Sequence, residues 1–174
     1  MAGCIFKRDT IMSKIIDIKK AAKLSRKLKR EKKILVLTGG CFDVLHLGHI
    51  KFLEAAKKTG DVLFVFVESD QNVQKNKGSN RPINTQDDRI EVLAAIRFID
   101  YVIKLPFMKN NDDYDQMTEK IKPSVIAITK DSDVLHHAKR QADKVDSKLV
   151  QVIGRIPEKS TTKIAKIISD ENKL

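Results

Sequence analysis

The tightest constraint on the fold lies between Ile34 and Val67, where two apolar runs flank a glycine pair and a helical pattern. Ile34-Leu35-Val36-Leu37 is short and continuously apolar and stops at Gly39-Gly40, while Asp61 opens the run Val62-Leu63-Phe64-Val65-Phe66-Val67. Runs that are apolar at every position suit strands buried on both faces, the usual state in parallel sheets. Between them, Ile50, Leu53 and Ala56 fall on one side of a helix predicted over 48–58. Strand, glycine turn, helix and strand within 34 residues is the size of a right-handed crossover unit.

The alternation continues along the chain. Ile18, Ala21, Ala22, Leu24, Ser25 and Leu28 recur at helical spacing, which predicts an amphipathic helix over 17–31. Residues 68–84 are polar, carry Lys77-Gly78 and Arg81-Pro82, and read as a loop. Thr85 is placed to cap a helix over 88–98, with Asp87 and Asp88 suiting the dipole of its first turn. Strands are predicted at 101–103, 125–128 and 148–153, with helices at 114–121, 133–145 and 160–169. The class is α/β: an open, mainly parallel, Rossmann-like sheet of about five strands, helices on both faces, and an added N-terminal helix. The expected organisation is a basic extension and helix over 1–31 followed by one domain over 32–174.

The net charge of +11 is localised: residues 1–33 carry +9 and residues 34–174 only +2. A solvated helix face accounts for that; an electrostatic arm for an acidic partner, RNA or a membrane surface is the sharper alternative. Nucleic acid is otherwise disfavoured, because there is no Trp and aromatic residues make up 5%, too few for a stacking platform. No apolar run approaches the roughly 20 residues that span a bilayer. The N-terminal stretch lacks the apolar segment of a signal peptide, and Met12 is a candidate alternative start because residues 1–11 show no organised pattern. Two cysteines, Cys4 and Cys41, make neither a disulfide framework nor a metal-ligand spacing, which suits a reducing cytoplasm.

Chemistry concentrates at the first strand–helix junction, where open α/β sheets bind ligands. Gly39 and Gly40 let the backbone approach an anion. The helix start offers unpaired N–H groups and partial positive charge for phosphate. His46 and His49, three residues apart, share a face there and add N–H donors where negative charge develops. That set suits attack on an α-phosphate: an ionised phosphate nucleophile needs no general base, only alignment and a stabilised leaving group. No Gly-Lys-Ser/Thr follows the glycines, which argues against a P-loop enzyme. Ser160-Thr161-Thr162 is by itself an N-cap, or a second phosphate cradle if it faces the histidines. Cys41 and Phe42 read as core, and His136-His137 lacks carboxylate or Cys partners at ligand spacing, so no protein metal site is expected.

Gly40, Phe42, Asp43, His46, Gly48 and His49 match every defined position of G-x-F-D-x-x-H-x-G-H, so residues 33–168 resemble the cytidylyltransferase-like superfamily. Lys77-Gly78, Arg81-Pro82-Ile83 and Arg89 resemble the K-G-x-x-R-P pattern of heptose-1-phosphate adenylyltransferase domains, as do Ile99-Asp100-Tyr101-Val102 and Ile121 to Ile126. Arg155 with Ser160-Thr161-Thr162 resembles the ending of glycerol-3-phosphate cytidylyltransferases.

The resemblance implies nucleotide contacts from Gly39, Gly40, Cys41, Phe42, His46, Gly48, His49, Asp131, Arg155, Ser160, Thr161 and Thr162. It implies catalytic roles for His46, His49, Lys77 and Arg89, and substrate contacts from Asp43, Glu68, Lys77 and Arg81, with Asp43 orienting its loop or reaching substrate rather than acting as a base. The expected reaction moves AMP from ATP, with Mg²⁺, onto a small sugar-phosphate-type acceptor and releases pyrophosphate. A CTP-dependent enzyme acting on glycerol 3-phosphate or another alditol phosphate is the second reading, and a non-catalytic nucleotide-sensing or RNA-associated module the third. Relatives of this kind are often homodimers, and the N-terminal helix has an apolar stripe to bury. Glu68, where heptose enzymes have Asn, and Thr129-Lys130-Asp131, in place of a glycine-rich turn, are departures that reshape the selecting pocket.

Overall fold

The computed structural model describes residues 11–130 and 132–154. Its centre is a six-stranded parallel sheet with helices on both faces. The strands are β1 (Ile15–Ile16), β2 (Leu35–Gly40), β3 (Val62–Val67), β4 (Tyr101–Lys104), β5 (Val125–Thr129) and β6 (Lys148–Ile153), in the order β1-β4-β3-β2-β5-β6. The expectation of about five strands is one short. β1 has two residues, too few to form a recognisable run, and becomes a strand only by parallel pairing of Ile15 with Val102 and Ile16 with Ile103.

One face of the sheet packs on α2 (Leu47–Lys57) and α4 (Gln86–Ala94), burying Val36, Phe52, Leu53, Val65, Ile90 and Leu93. The other face packs on α1 (Ile18–Arg30), α5 (Asn111–Ile121) and α6 (Leu135–Val145). Leu35, Leu37, Phe64 and Phe66 alternate onto that side, the period-2 geometry of a strand. The stripe of α1 is buried on its own domain: Ala21, Ala22, Ser25 and Leu28 are buried, and the Ser25 hydroxyl donates to the Ile121 carbonyl. Lys19, Lys23, Arg26 and Arg30 face solvent.

The segment read as a loop over 68–84 contains α3 (Asp70–Lys77). Only Val73 within it is a core hydrophobe, so no apolar period announces it. Polar bonds hold it instead. Ser69 Oγ accepts from Asn72 N–H at 3.2 Å, and the buried Asn72 amide both donates to the Met108 carbonyl and accepts from Met108 N–H, each at 2.8 Å. Gly78, at φ +97°, ends the helix in a backbone region where side chains are strained. α4 starts where Thr85 and Asp88 form a reciprocal capping box and stops at Ala94, four residues short of the expected end. The closing helix expected over 160–169 lies outside the described residues.

Among the described residues, no helix is long and apolar enough to cross a membrane.

Candidate active site

β2 ends in Gly40, and the chain turns sharply at Phe42, whose backbone is left-handed at φ +49°. The Phe42 ring folds back under Gly40, and a Cβ on Gly40 would stand 3.0 Å from its Cε2. A side chain at the second glycine would press on that ring, which would have to shift by a few tenths of an ångström. Phe42 is buried and meets the His49 ring edge-on, with centroids 5.4 Å apart. His46 caps α2: its Nδ1 accepts from Gly48 N–H at 3.1 Å. That bond assigns the proton of the neutral ring to Nε2. The His46 and His49 rings stack with centroids 3.9 Å apart.

Burial, followed by repulsion from His46 and Lys77, pushes the His49 pKa down to about 4. His49 is thus a neutral imidazole near pH 7, and its buried Nδ1 has no partner among the described residues. Burial raises the neighbouring Cys41 thiol, against the opposing pull of Lys77 and Arg89. Lys77, exposed at the end of α3, therefore places its positive charge over this junction. Gly39, Gly40, Cys41, Phe42, His46, Gly48 and His49 thus share one strand–helix junction, with the charge of Lys77 acting on it.

Two of the implied ligands serve the scaffold. Asp43 is buried and accepts from Ile83 N–H at 2.8 Å, Asn84 N–H at 2.9 Å and Arg81 Nε at 2.6 Å. Burial alone would raise its pKa, but the two backbone donors and the Arg81 guanidinium outweigh it and hold the carboxyl below its ordinary range. It orients the loop, since three of its roughly four acceptor positions are taken by the loop's own groups. Arg81 keeps one buried donor, Nη2, without a partner among the described residues.

Arg89 is the second scaffold residue. Its side chain is fully buried and donates to the carbonyls of Asn84, Cys41 and Glu68 and to the Asp70 carboxylate. A guanidinium committed to four acceptors beneath the surface ties the loop ends together and does not reach a phosphate. Gln86, which sequence reasoning did not single out, does similar work by donating to the Val67 and Leu105 carbonyls at the ends of β3 and β4.

On the opposite face lies a cavity of about 440 Å³, within the range of small-molecule sites. β2 and β5 supply part of its wall. The strand order reverses direction between those strands, which makes the cavity a switch-point crevice. Glu68 lines it and accepts from the Tyr114 hydroxyl at 2.8 Å. Burial raises the Glu68 pKa, with Tyr114 and Arg89 acting in the opposite sense. His137, on the facing helix, has a buried Nδ1 with no partner among the described residues. Tyr114 and His137 are not among the expected site residues; the His136-His137 doublet stands out in the sequence, but nothing in its spacing links it to Glu68. Asp131, Arg155, Ser160, Thr161 and Thr162 lie outside the described residues. No cluster of three or more His, Cys, Asp or Glu suited to a metal occurs among the described residues.

Residues 37–167 match the family described as Cytidylyltransferase-like. The chain is 37% identical over 138 residues to Bifunctional protein HldE of Campylobacter fetus, covering 79% of this chain and 28% of that protein. It is 40% identical over 142 residues to Bifunctional protein HldE of Campylobacter concisus, covering 82% and 28%. The match thus spans less than a third of those relatives' length. A lipopolysaccharide core biosynthesis protein from Thermoplasma volcanium superposes with a TM-score of 0.58 at 26% identity, over 71% of this chain and 97% of that one. Pantoate-beta-alanine ligase from Francisella tularensis shares the fold, with a TM-score of 0.61 at 17% identity over 92% and 78%. A family match across most of the chain, on a parallel sheet whose first crossover carries the paired histidines, has one reading: the chain belongs to the cytidylyltransferase-like family of nucleotidyltransferase enzymes.

Proposed function

We propose that the enzyme transfers AMP from ATP onto a small sugar-phosphate-type acceptor and releases pyrophosphate. The observation that carries this reading is the stacked His46/His49 pair at the open end of α2, beside a glycine-lined turn. Both rings are N–H donors at a helix N-terminus, and neutral His49 is desolvated before any ligand arrives. Donors held ready where charge builds on the α-phosphate and the leaving group lower the barrier without reorganising. An oxygen of the acceptor's phosphate forms the new bond to the α-phosphorus, and the bond to the pyrophosphate oxygen breaks. The nucleophile is already ionised, so the site needs no general base, which fits a loop whose buried carboxylate, Asp43, already accepts three hydrogen bonds from the loop itself.

The donor set at the junction is neutral or cationic. It fits Mg²⁺ brought on the triphosphate's own oxygens rather than held by protein carboxylates. Bound there, the ion would neutralise the leaving pyrophosphate. Lys77 is placed to add positive charge on the same side.

ATP is favoured over CTP by the Lys77-Gly78 and Arg81-Pro82 likeness. The test is pyrophosphate release with ATP or CTP against a panel of sugar and alditol phosphates. Turnover with ATP and one sugar phosphate is expected. Turnover only with CTP would replace the nucleotide assignment, and none with any pair would overturn the reading.

A further inference from the structure

We propose that the exposed face of α1 docks the protein on an anionic lipid bilayer, through charge alone and without insertion. The inference is independent of the nucleotide and of the acceptor. Every exposed residue from 19 to 30 is Lys or Arg, while Ala21, Ala22, Ser25 and Leu28 are buried. Lys19, Lys23, Arg26 and Arg30 fall on one line of the helix, about 16 Å long at 1.5 Å per residue. Lys20, Lys27 and Lys29 flank that line.

This charge works against the helix that carries it. The first turn holds Lys19 and Lys20 and no acid, at the positive end of the helix dipole. Lys19 with Lys23, Lys23 with Lys27, and Arg26 with Arg30 are like-charge neighbours at i,i+4, which destabilise a helix. The fold does not neutralise them either. Among the described residues, Lys19, Lys20, Lys23, Arg26, Lys29 and Arg30 make no ion pair, and Lys27 has only Glu31 at 3.7 Å. On other surfaces Lys57, Lys104, Arg140 and Lys144 each sit within 2.9 Å of a carboxylate. The buried stripe holds α1 in place despite this repulsion, and an external polyanion would relieve it.

The side-chain chemistry selects lipid. Most of these cations are lysines, point charges that need no fixed geometry, whereas phosphate recognition in nucleic acids favours the arginine fork. The face exposes no Asn or Gln to read a base edge and no aromatic ring to stack on one. It also has no apolar anchor of the kind that centres a protein interface. Fluid headgroups can gather around a lysine-rich ridge whatever its spacing. The apolar stripe of α1 is spent on its own domain, so it cannot enter the acyl region as an interfacial helix does. α1 and α2 cover opposite faces of the sheet, and a bilayer against α1 leaves the His46/His49 junction open.

The test is flotation of the full chain with vesicles of phosphatidylcholine, alone or with about 30 mol% phosphatidylglycerol. Binding is expected to the anionic vesicles only, and should be lost in about 1 M salt, where the Debye length is about 3 Å. Combining Lys19→Gln, Lys23→Gln, Arg26→Gln and Arg30→Gln should weaken partitioning by about 100- to 1,000-fold. The thermal midpoint of that variant should equal or exceed that of wild type, because repulsion along the helix is relieved. Lys51→Gln, Lys58→Gln, Lys104→Gln and Lys139→Gln together remove the same charge from other surfaces and should leave partitioning within about 3-fold. Absence of binding to anionic vesicles, equal binding to uncharged ones, persistence in high salt, or equal losses in the two variants would each overturn the proposal. Displacement from the vesicles by duplex RNA at equal phosphate concentration would overturn it in favour of a nucleic-acid surface.

Discussion

Two carboxyl groups flank the ends of β2 and β3, and their environments are opposite. Asp43, on the loop after β2, is buried among three donors that hold its pKa low. Glu68, just past β3, faces a cavity with the Tyr114 hydroxyl as its one side-chain hydrogen-bond donor among the described residues, and burial raises its pKa. A carboxylate supplied with several donors by its own fold is part of the scaffold, whereas one desolvated and under-supplied keeps capacity for a ligand. Burial alone therefore does not separate structural acids from functional ones; the count of partners does.

That contrast is breakable, beginning with stability. Asp43→Ala leaves the Arg81 guanidinium, 11% exposed, without its counter-charge, and should cost about 3–5 kcal/mol in urea unfolding. A loss below about 1 kcal/mol would erase the distinction between the two acids. Next in size is His49→Ala on the motif side, expected to lower kcat by about 10²–10³-fold, as for one transition-state donor. If only a Michaelis constant moved, the donor role would be wrong.

The same histidine has a signature in acid. Its folded pKa of about 4 lies below the ordinary 6.5, so the unfolded chain binds a proton that the folded chain refuses. Stability should therefore fall as pH drops from 6.5 to about 4, by roughly 2–3 kcal/mol, and His49→Gln should flatten that slope. An unchanged slope in the variant would show that His49 is not the group responsible. The smallest effect belongs to Glu68→Gln, with stability at pH 7 unchanged or slightly raised, within about 1 kcal/mol. The sign follows from its raised pKa. The folded chain holds that proton more tightly than the unfolded one, so wild type loses stability as pH rises above about 4.5, a loss Gln does not share. A destabilisation of several kcal/mol at neutral pH would place Glu68 with the scaffold.

The motif side was legible because its chemistry is local. Gly40, Phe42, His46 and His49 act through one turn and the helix that follows it, so their spacing along the chain is their geometry. The cavity side was not. Glu68 and Tyr114 are 46 residues apart and meet only because α5 packs across the sheet. Arg89 shows the converse error: it occupies a motif position, yet four hydrogen bonds to groups from three other segments turn it inward. α3 was missed for the same reason, since its anchor is a reciprocal pair of hydrogen bonds between Asn72 and Met108, 36 residues away.

By itself, the sequence determined the parallel α/β class, the crossover unit at Ile34–Val67 and the paired histidines at a helix start, all written in periodicity and short-range spacing. Tertiary structure alone decided that Ile15–Ile16 joins the sheet as a sixth strand, that the stripe of α1 is buried on its own domain, and which buried polar groups have their partners. Strand pairing, packing and hydrogen-bond satisfaction depend on which distant segments come into contact, and that information exists only once the chain has folded.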